Sequence, residues 1–470
     1  MMSPILPLLA VAFSNLAKAW PSPQDNAQIP ISVQDHSQGY RFDPLLHLPG
    51  ISPFENPSFR DNSYGILTGF HSYFDAVGFG LSHEAPPACN ITAASYLVRH
   101  ASIYANDDEY EEYIKPLLFE IEKHRGGFSG SLEFLNKWTS PILEDKLEDV
   151  TPAGKRDAAK VGDHLLQRYP QLVPTTRRIL ADKKPRTYDT AVALSQAFPH
   201  HEDIEIVRIK RDVNGSMDAI VPHKSCPAFS KAPGKDEMDE FIDTYAPSVS
   251  ERLEGDSAFK LSNDNILGLQ SLCGYQSAIE GKRSPICSVF TDTEWMSYEY
   301  AWDLRYAHMV GPLNPLSPYL GFPWLQSQLS LLDADGESAA RQGWPAGQRF
   351  FLSFTHREVP PFVATALGIF NSSSNAREQF PTDRVNWGRA WRMSDLIPFL
   401  GHVGMEKITC DTKRGSEDYI RFVANQAPRP LPNCQSGPGA SCPLNEFTEI
   451  IEAGARDHED YHDICGDSPK

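Results

Sequence analysis

The stretch Ser95-Tyr-Leu-Val-Arg-His-Ala-Ser-Ile-Tyr-Ala105 begins as an apolar run that suits a β-strand and then sets Arg99 directly beside His100. A strand ending on that pair has three readings. It is an exposed basic end, or the histidine is satisfied by a backbone carbonyl, or His100 is a nucleophile and Arg99 holds the anion it attacks. Short motifs match by chance, so the choice depends on what the rest of the chain brings to the same place.

Two other segments repeat the pattern of strand, polar residues, helix. Arg178-Ile-Leu-Ala181 is strand-like and leads into Pro185-Arg-Thr-Tyr-Asp-Thr-Ala-Val-Ala-Leu-Ser-Gln-Ala-Phe198, a loop running into a helix. Arg349-Phe-Phe-Leu-Ser-Phe354 is a strand followed by Thr355-His-Arg-Glu358, after which Pro360-Pro361 opens a helix predicted over 362–370. Arg99-His100, Arg186 and His356-Arg-Glu358 therefore all fall just beyond strand ends, where open α/β sheets gather their ligand sites.

With 470 residues and 41% hydrophobic content the chain can bury one large core or two smaller ones. Its 43 basic and 61 acidic residues give a net charge of −18, which argues against a nucleic acid or an anionic membrane as the main partner. The start, residues 1–19, has an apolar run and then Ala17-Lys18-Ala19, a small-x-small arrangement that suits signal peptidase, although it has no basic residue ahead of that run. Its cleavage removes one charged residue, Lys18, and takes −18 to −19. Eight cysteines (Cys89, Cys226, Cys273, Cys287, Cys410, Cys434, Cys442 and Cys465) form no CxxC pair, so four disulfides in an oxidising compartment is the natural reading. Sequons at Asn90, Asn214 and Asn371 can accept glycans, whereas Pro57 blocks the one at Asn56. The expected location is extracellular.

Residues 20–60, rich in Pro, Gln, Asp and Ser, read as an extended arm. The acidic stretch 108–122 reads as a helix kinked or broken at Pro116. Thr151 is placed to cap a helix with Pro152 at its first position, continuing amphipathically to Arg168. Between about 216 and 335 the texture changes to an aromatic-rich stretch with Gly-Pro turns, which predicts a mainly helical insertion. The expected organisation is an α/β domain from 61–110, 150–215 and 336–470, with 111–149 and 216–335 forming a mainly α-helical domain.

The ordered set of segments resembles the histidine acid phosphatase family, in its fungal branch of phytases and acid phosphatases. Members carry Arg-His-Gly-x-Arg-x-Pro, Leu-Thr-Pro-x-Gly before a helix, an arginine opening a helix, a Trp- and Tyr-rich segment with Gly-Asn-Pro-Leu-like turns, and a strand ending in histidine plus an acid. The matching segments are Arg99-His-Ala-Ser-Ile-Tyr-Ala105, Val150-Thr-Pro-Ala-Gly154, Pro185-Arg-Thr-Tyr-Asp-Thr190, Asp292-Thr-Glu-Trp-Met-Ser-Tyr-Glu-Tyr300 with Gly311-Pro-Leu-Asn-Pro-Leu316, and Phe354-Thr-His-Arg-Glu358. The resemblance spans roughly residues 50–465. It implies an α/β, phosphoglycerate-mutase-like mixed sheet flanked by helices, with a second, mainly α-helical insertion domain. It also implies hydrolysis of phosphate monoesters, phytate among them, with no metal and no cofactor. The disulfides it implies are Cys89–Cys410, Cys226–Cys465, Cys273–Cys287 and Cys434–Cys442.

By the same resemblance His100 is the nucleophile, and Arg99, Arg186 and His356 bind the phosphate. Guanidinium forks suit phosphate oxygens and stay charged. For Arg186 an ordinary salt bridge is the competing reading. Where much of the family has its acid directly after the second histidine, this chain has Arg357, which cannot release a proton. Glu358 matches the His-x-Glu spacing of another branch and is the expected proton donor, its competing role being a cap on the helix that follows. Ile103 stands where the family has its second signature arginine, Ala101 where it has glycine and Ala105 where it has proline. Losing that cation costs on the order of 1.5–3 kcal/mol of charge-assisted bonding, or about one to two orders of magnitude in rate, unless Arg357 replaces it. A relative specialised for one phosphorylated metabolite, and a phosphate binder without turnover, stand as alternatives. Oligomeric state is left open.

Overall fold

A computed structural model describes residues 70–71, 73–76, 80–209, 219–332, 339, 343–370, 376–413 and 415–466. The expected leader, the 20–60 arm and the sequons at Asn214 and Asn371 lie outside them. Asn90 is exposed at the start of a strand.

Among the described residues eight strands form one mixed sheet in the order β3-β2-β4-β1-β5-β6-β7, with β8 paired to β6. They are β1 (Cys89–Arg99), β2 (Arg178–Asp182), β3 (Glu205–Ile209), β4 (Phe350–Thr355), β5 (His402–Thr412), β6 (Gly415–Ala424), β7 (Ala427–Arg429) and β8 (Cys442–Pro443). The half from β3 to β1 is parallel, and β5 to β8 pair antiparallel. Parallel strands need covering on both faces, which explains why β4 is buried at all six positions. Helices α1 (Lys115–Lys123), α2 (Pro152–Arg168) and α3 (Pro185–Ser195) follow the first strands. Helices α4 (Lys235–Leu253), α5 (Asn263–Glu280), α6 (Asp292–Met309) and α7 (Ser317–Leu332) fill the connection from β3 to β4. Helix α8 (Val359–Ala366) and a short helix at Ala376–Gln379 follow β4, and α9 (Leu444–Asp457) and α10 (Tyr461–Cys465) follow β8. No described helix is long and apolar enough to cross a membrane.

The register of the parallel half fixes the geometry of the site. Arg99 lies opposite Thr355, and Ala181 lies opposite Phe354. With β4 between β1 and β2, the residues leaving all three strands emerge side by side at one edge. The backbone N–H of His100 then donates to Thr355 O at 3.1 Å.

Local chemistry sets the next layer. Thr151 caps α2 by accepting from Gly154 N at 2.9 Å, and Thr151 N donates to Ser102 O at 2.8 Å. Gly154 is required there: a Cβ would stand 2.5 Å from Ser102 O. Residues 102–105 thus run against 148–151, with Ile103 bridged to Val150 and Glu148 N donating to Ala105 O at 2.8 Å.

Three expectations need adjustment. In the acidic stretch the break falls just ahead of Pro116. A helical turn at Asp107–Glu109 widens into a π-helical turn over Tyr110–Ile114 before α1 begins. Pro116 has no N–H to give and its ring crowds the carbonyl four residues back, so the chain changes its bonding period just ahead of it. Helix α8 starts at Val359 rather than 362 and stops at Ala366, because prolines are tolerated in a first turn whose N–H groups need no intrahelical partner. The first strand also starts earlier than Ser95, at Cys89, where it pairs with Cys410.

Four disulfides join Cys89 to Cys410, Cys226 to Cys465, Cys273 to Cys287 and Cys434 to Cys442. The second ties the turn Pro222–Lys224 to the C-terminal α10 across 239 residues of sequence.

Candidate active site

His100 is buried, and its Nδ1 sits 2.9 Å from the carbonyl oxygen of Ala101. A carbonyl only accepts, so Nδ1 carries the hydrogen and Nε2 keeps its lone pair. Burial, then Arg186, Arg99 and His356, hold the ring well below the ordinary histidine range. His100 is therefore held toward a neutral imidazole with a defined tautomer.

Arg99 is fully buried. Its Nη1 donates to Ile397 O at 2.5 Å, and its guanidinium lies 4.3 Å over the Phe399 ring. Burial and Arg357 lower it to about 10, which leaves it charged in any acidic or neutral solution. Arg186, in the first turn of α3, is ion-paired with Glu148 and is also the largest charge acting on His100. The salt bridge and a place at the site are thus compatible. Glu148 owes its position to the pairing of 148–151 with 102–105.

His356 Nε2 is 2.8 Å from Asp182 Oδ2, and its Nδ1 is buried. The carboxylate takes the Nε2 hydrogen, so Nδ1 is the atom left to face a ligand. Burial brings this ring to about 4, with Asp182 opposing the shift. The ring centroids of His100 and His356 are 5.8 Å apart.

Arg357 points inward. Its Nη1 lies 2.6 Å from Glu109 Oε1 and its guanidinium stands 5.8 Å from the Tyr306 ring centre. It also lowers the pKa of Arg99. Ile103 is fully buried at its bridge to Val150, so an apolar side chain fills the family's second arginine position.

Glu358 occupies the N-cap position of α8 but makes no capping hydrogen bond. Its Oε2 lies 3.9 Å from Nε2 of His223, and both side chains are buried. Burial pushes Glu358 upward, yet His223, Arg357 and Lys231 hold it well below the usual carboxylate range. Burial takes His223 to about 3, with Glu358 opposing. These belong to one pair: an imidazolium at 223 lowers Glu358, and a carboxylate at 358 raises His223.

Sequence reasoning missed Asp182, Glu109 and His223. Asp182 carried a faint signal as the last residue of a strand before Lys183. Beside the site opens a cavity of about 540 Å³ lined by Asp108, Glu109, Glu111, Glu112, Lys231, Arg305 and Arg357 among others.

Residues 90–425 match the family model for the histidine phosphatase superfamily (branch 2). The chain is similar to acid phosphatase PHO1 of Komagataella pastoris, 26% identical over 441 residues that cover 90% of this chain and 91% of that one. It is also similar to phytase PHO112 of Candida albicans, 25% identical over 86% of this chain and 87% of that one. The phytase from D. castellii has the same fold, with a TM-score of 0.78 at 24% identity over 90% and 92% of the two chains. A multiple inositol polyphosphate phosphatase of Bifidobacterium longum shares the fold more distantly, with a TM-score of 0.56 at 13% identity over 84% and 98%. Sharing the sequence pattern of this family across most of its length, and its fold as well, the chain belongs to the histidine phosphatase superfamily, branch 2.

Proposed function

We propose that the protein is a secreted acid phosphatase that hydrolyses phosphate monoesters through a phosphohistidine on His100, without metal or cofactor. The observation that carries this is the bare Nε2 of a buried, neutral histidine set among Arg99, Arg186 and His356. Nε2 attacks phosphorus as the ester P–O bond breaks, and the electron pair leaves with the oxygen, which takes a proton from the Glu358 side of the site. Water then attacks the phosphohistidine and frees Nε2. Arg99 and Arg186 neutralise the transferring oxygens, and His356 turns Nδ1 to them. Arg357 supplies the positive charge that Ile103 withdraws. Its inward course beside Glu109 and its influence on Arg99 support this.

The nucleophile then comes from the α/β segments 61–110, 150–215 and 336–470, whereas Lys231 and Arg305 come from the helical segments 111–149 and 216–335. Secretion is supported by the four disulfides, and Asn90 is the exposed described site for a glycan.

Small monoesters fit better than phytate. The neighbouring cavity sets four acids, Asp108, Glu109, Glu111 and Glu112, against three cations, Lys231, Arg305 and Arg357. Asp108 pairs with Lys231, and Glu109 pairs with Arg357. A hexakisphosphate meets no net positive charge there. Assays of p-nitrophenyl phosphate, glycerol 2-phosphate and phytate from pH 3 to 7, beside His100→Ala, test the reading. Hydrolysis in acid that the variant abolishes is expected. Turnover that survives His100→Ala sinks the mechanism, and no turnover of any ester favours a phosphate binder.

A further inference from the structure

A proton donor that stands among Arg357 and Lys231 has a difficulty: those cations favour its carboxylate, and a carboxylate has no proton to give. The geometry around Glu358 supplies an answer. His223, on the turn Pro222–Lys224, brings Nε2 to 3.9 Å from Glu358 Oε2. Its imidazole is buried, and neither ring nitrogen has a hydrogen-bond partner among the described residues. The ring packs instead between Phe229 and Phe362, with centroids 5.3 and 6.1 Å away. The turn is anchored from outside by the Cys226–Cys465 disulfide, by Ala228 N donating to Cys465 O at 3.2 Å, and by Tyr461 Oη donating to Pro222 O at 3.4 Å. Leaving both nitrogens of a buried imidazole unpaired is costly, and a fold keeps such a cost where the group is used.

We propose that His223 is the proton partner of Glu358: with a phosphate ester bound, the two hold one proton between them and deliver it through Glu358 to the departing oxygen. This rests on the phosphohistidine reading above. An imidazolium beside a carboxylate is a favourable pair, so the couple keeps a proton at a pH where Glu358 alone has lost it. The charges facing the pair are Arg357, Lys231, Lys224 and His356. All are cationic or become so in acid, and all oppose the proton. The negative charge of the bound ester offsets them. As the P–O bond breaks, Glu358 protonates the ester oxygen, taking up the His223 proton as it does so, and the pair is left with none. The attacking water of the second step returns one proton through Glu358. Side-chain rotation closes the 3.9 Å separation to hydrogen-bond distance, as active-site contacts often tighten on binding. Glu358 is the catalytic residue in this scheme, and His223 is a positioning and proton-holding residue behind it.

The test compares kcat for glycerol 2-phosphate, whose alkoxide needs a proton, with kcat for p-nitrophenyl phosphate, whose phenolate hardly does. His223→Phe keeps an aromatic ring between Phe229 and Phe362 and removes only the titratable nitrogens. It is expected to raise the ratio of p-nitrophenyl phosphate to glycerol phosphate turnover by about ten-fold or more. The alkaline limb of the glycerol phosphate profile should move to lower pH, since Glu358 alone loses its proton sooner. Glu358→Gln should raise the same ratio, and the double variant no further. His223→Asn carries the same expectation if the Phe variant fails a thermal-unfolding check. An unchanged ratio, equal losses on both esters, or additive losses in the double variant overturn the proposal and leave the phosphatase reading standing. Turnover that survives His100→Ala removes both.

Discussion

Two buried polar clusters sit along the same sheet, and they are built on opposite plans. Part-way along β5, opposite Ala94 of β1, Glu406 takes Arg168 Nη2 at 2.8 Å, Arg421 Nε at 2.6 Å and the Tyr169 hydroxyl. Arg421 spends its remaining donors on the carbonyls of Ser82, His83 and Glu84. Burial pushes Glu406 up, but the two arginines outweigh it and hold the group at about 2. At the strand ends, by contrast, His100, His223 and His356 are all lowered by burial first, and His223 has both nitrogens unpaired among the described residues. One cluster satisfies itself. The other is arranged for a guest that brings negative charge.

The first way to break this comparison is to exchange the roles. His100→Ala is expected to lower kcat by about ten-thousand-fold, as loss of a nucleophile does, with the melting temperature unchanged or slightly raised. A large fall in melting temperature would place His100 with the structural cluster. Glu406→Gln should do the reverse. Stranding Arg168 and Arg421 in the interior costs about 3–5 kcal/mol, readable as a lower denaturant midpoint, while kcat of the folded fraction stays near the parent value. Next in size is Arg357→Ala. If Arg357 replaces the cation lost at Ile103, kcat/KM should fall by about one to two orders of magnitude on both alkyl and aryl esters, because a phosphate contact is shared by all substrates. A loss confined to one ester would instead place Arg357 at the leaving group.

The two plans were not equally legible in the sequence. Arg99, His100, Arg186 and His356 stood out because an apolar strand that stops at a charged residue marks a strand end. Parallel order then brings such ends together. Asp182 closes a strand too, but Lys183 and Lys184 follow it, and a charged run of that kind marks no site by itself. His223 lies between Pro222 and Lys224 with no periodic pattern, on a turn that the Cys226–Cys465 disulfide and contacts from α10 hold in place. Glu109 hid in an acidic run that resembles a solvated helix face. Ile103 was recognisable as a departure, whereas the inward course of Arg357 depends on Glu109 and Tyr306, far away in sequence. What periodicity and turn chemistry could not reveal is which charges tertiary contacts draw inward.

Acid should weaken the fold at His402, the first residue of β5. The His402 Nδ1–H donates to Leu400 O at 2.9 Å, and Nε2 accepts from Gln426 Nε2 at 2.8 Å, an arrangement that needs a neutral ring. Burial lowers this histidine to about 4. The folded value lies below the unfolded one, so its contribution is complete above pH 6.5 and is lost as pH falls from there to about 4. Two and a half units correspond to about 3 kcal/mol. Glu406 acts in the same direction over the lower range between about 4.5 and 2. Denaturant melts at pH 7 and 4.5 should show that loss, and His402→Gln should reduce the difference. A stability curve flat between those values would mean the ring is not held neutral.

The smallest effect sharpens the contrast between the site and its cavity. Glu111 and Glu112 line the cavity and are engaged with Lys115 and Lys235. Replacing both by glutamine turns four acids against three cations into two against three, while the groups around the nucleophile are left in place. If the charge of the cavity is what disfavours phytate, the double variant should gain about three- to five-fold in kcat/KM on phytate at low salt and change little on p-nitrophenyl phosphate. The gain should shrink toward 150 mM salt, because exposed charges are screened over about 8 Å there. A gain that ignores salt would point to shape rather than charge. An equal gain on both esters would mean the acids act on the nucleophile itself, and the division between a cationic site and a mixed-charge cavity would fall.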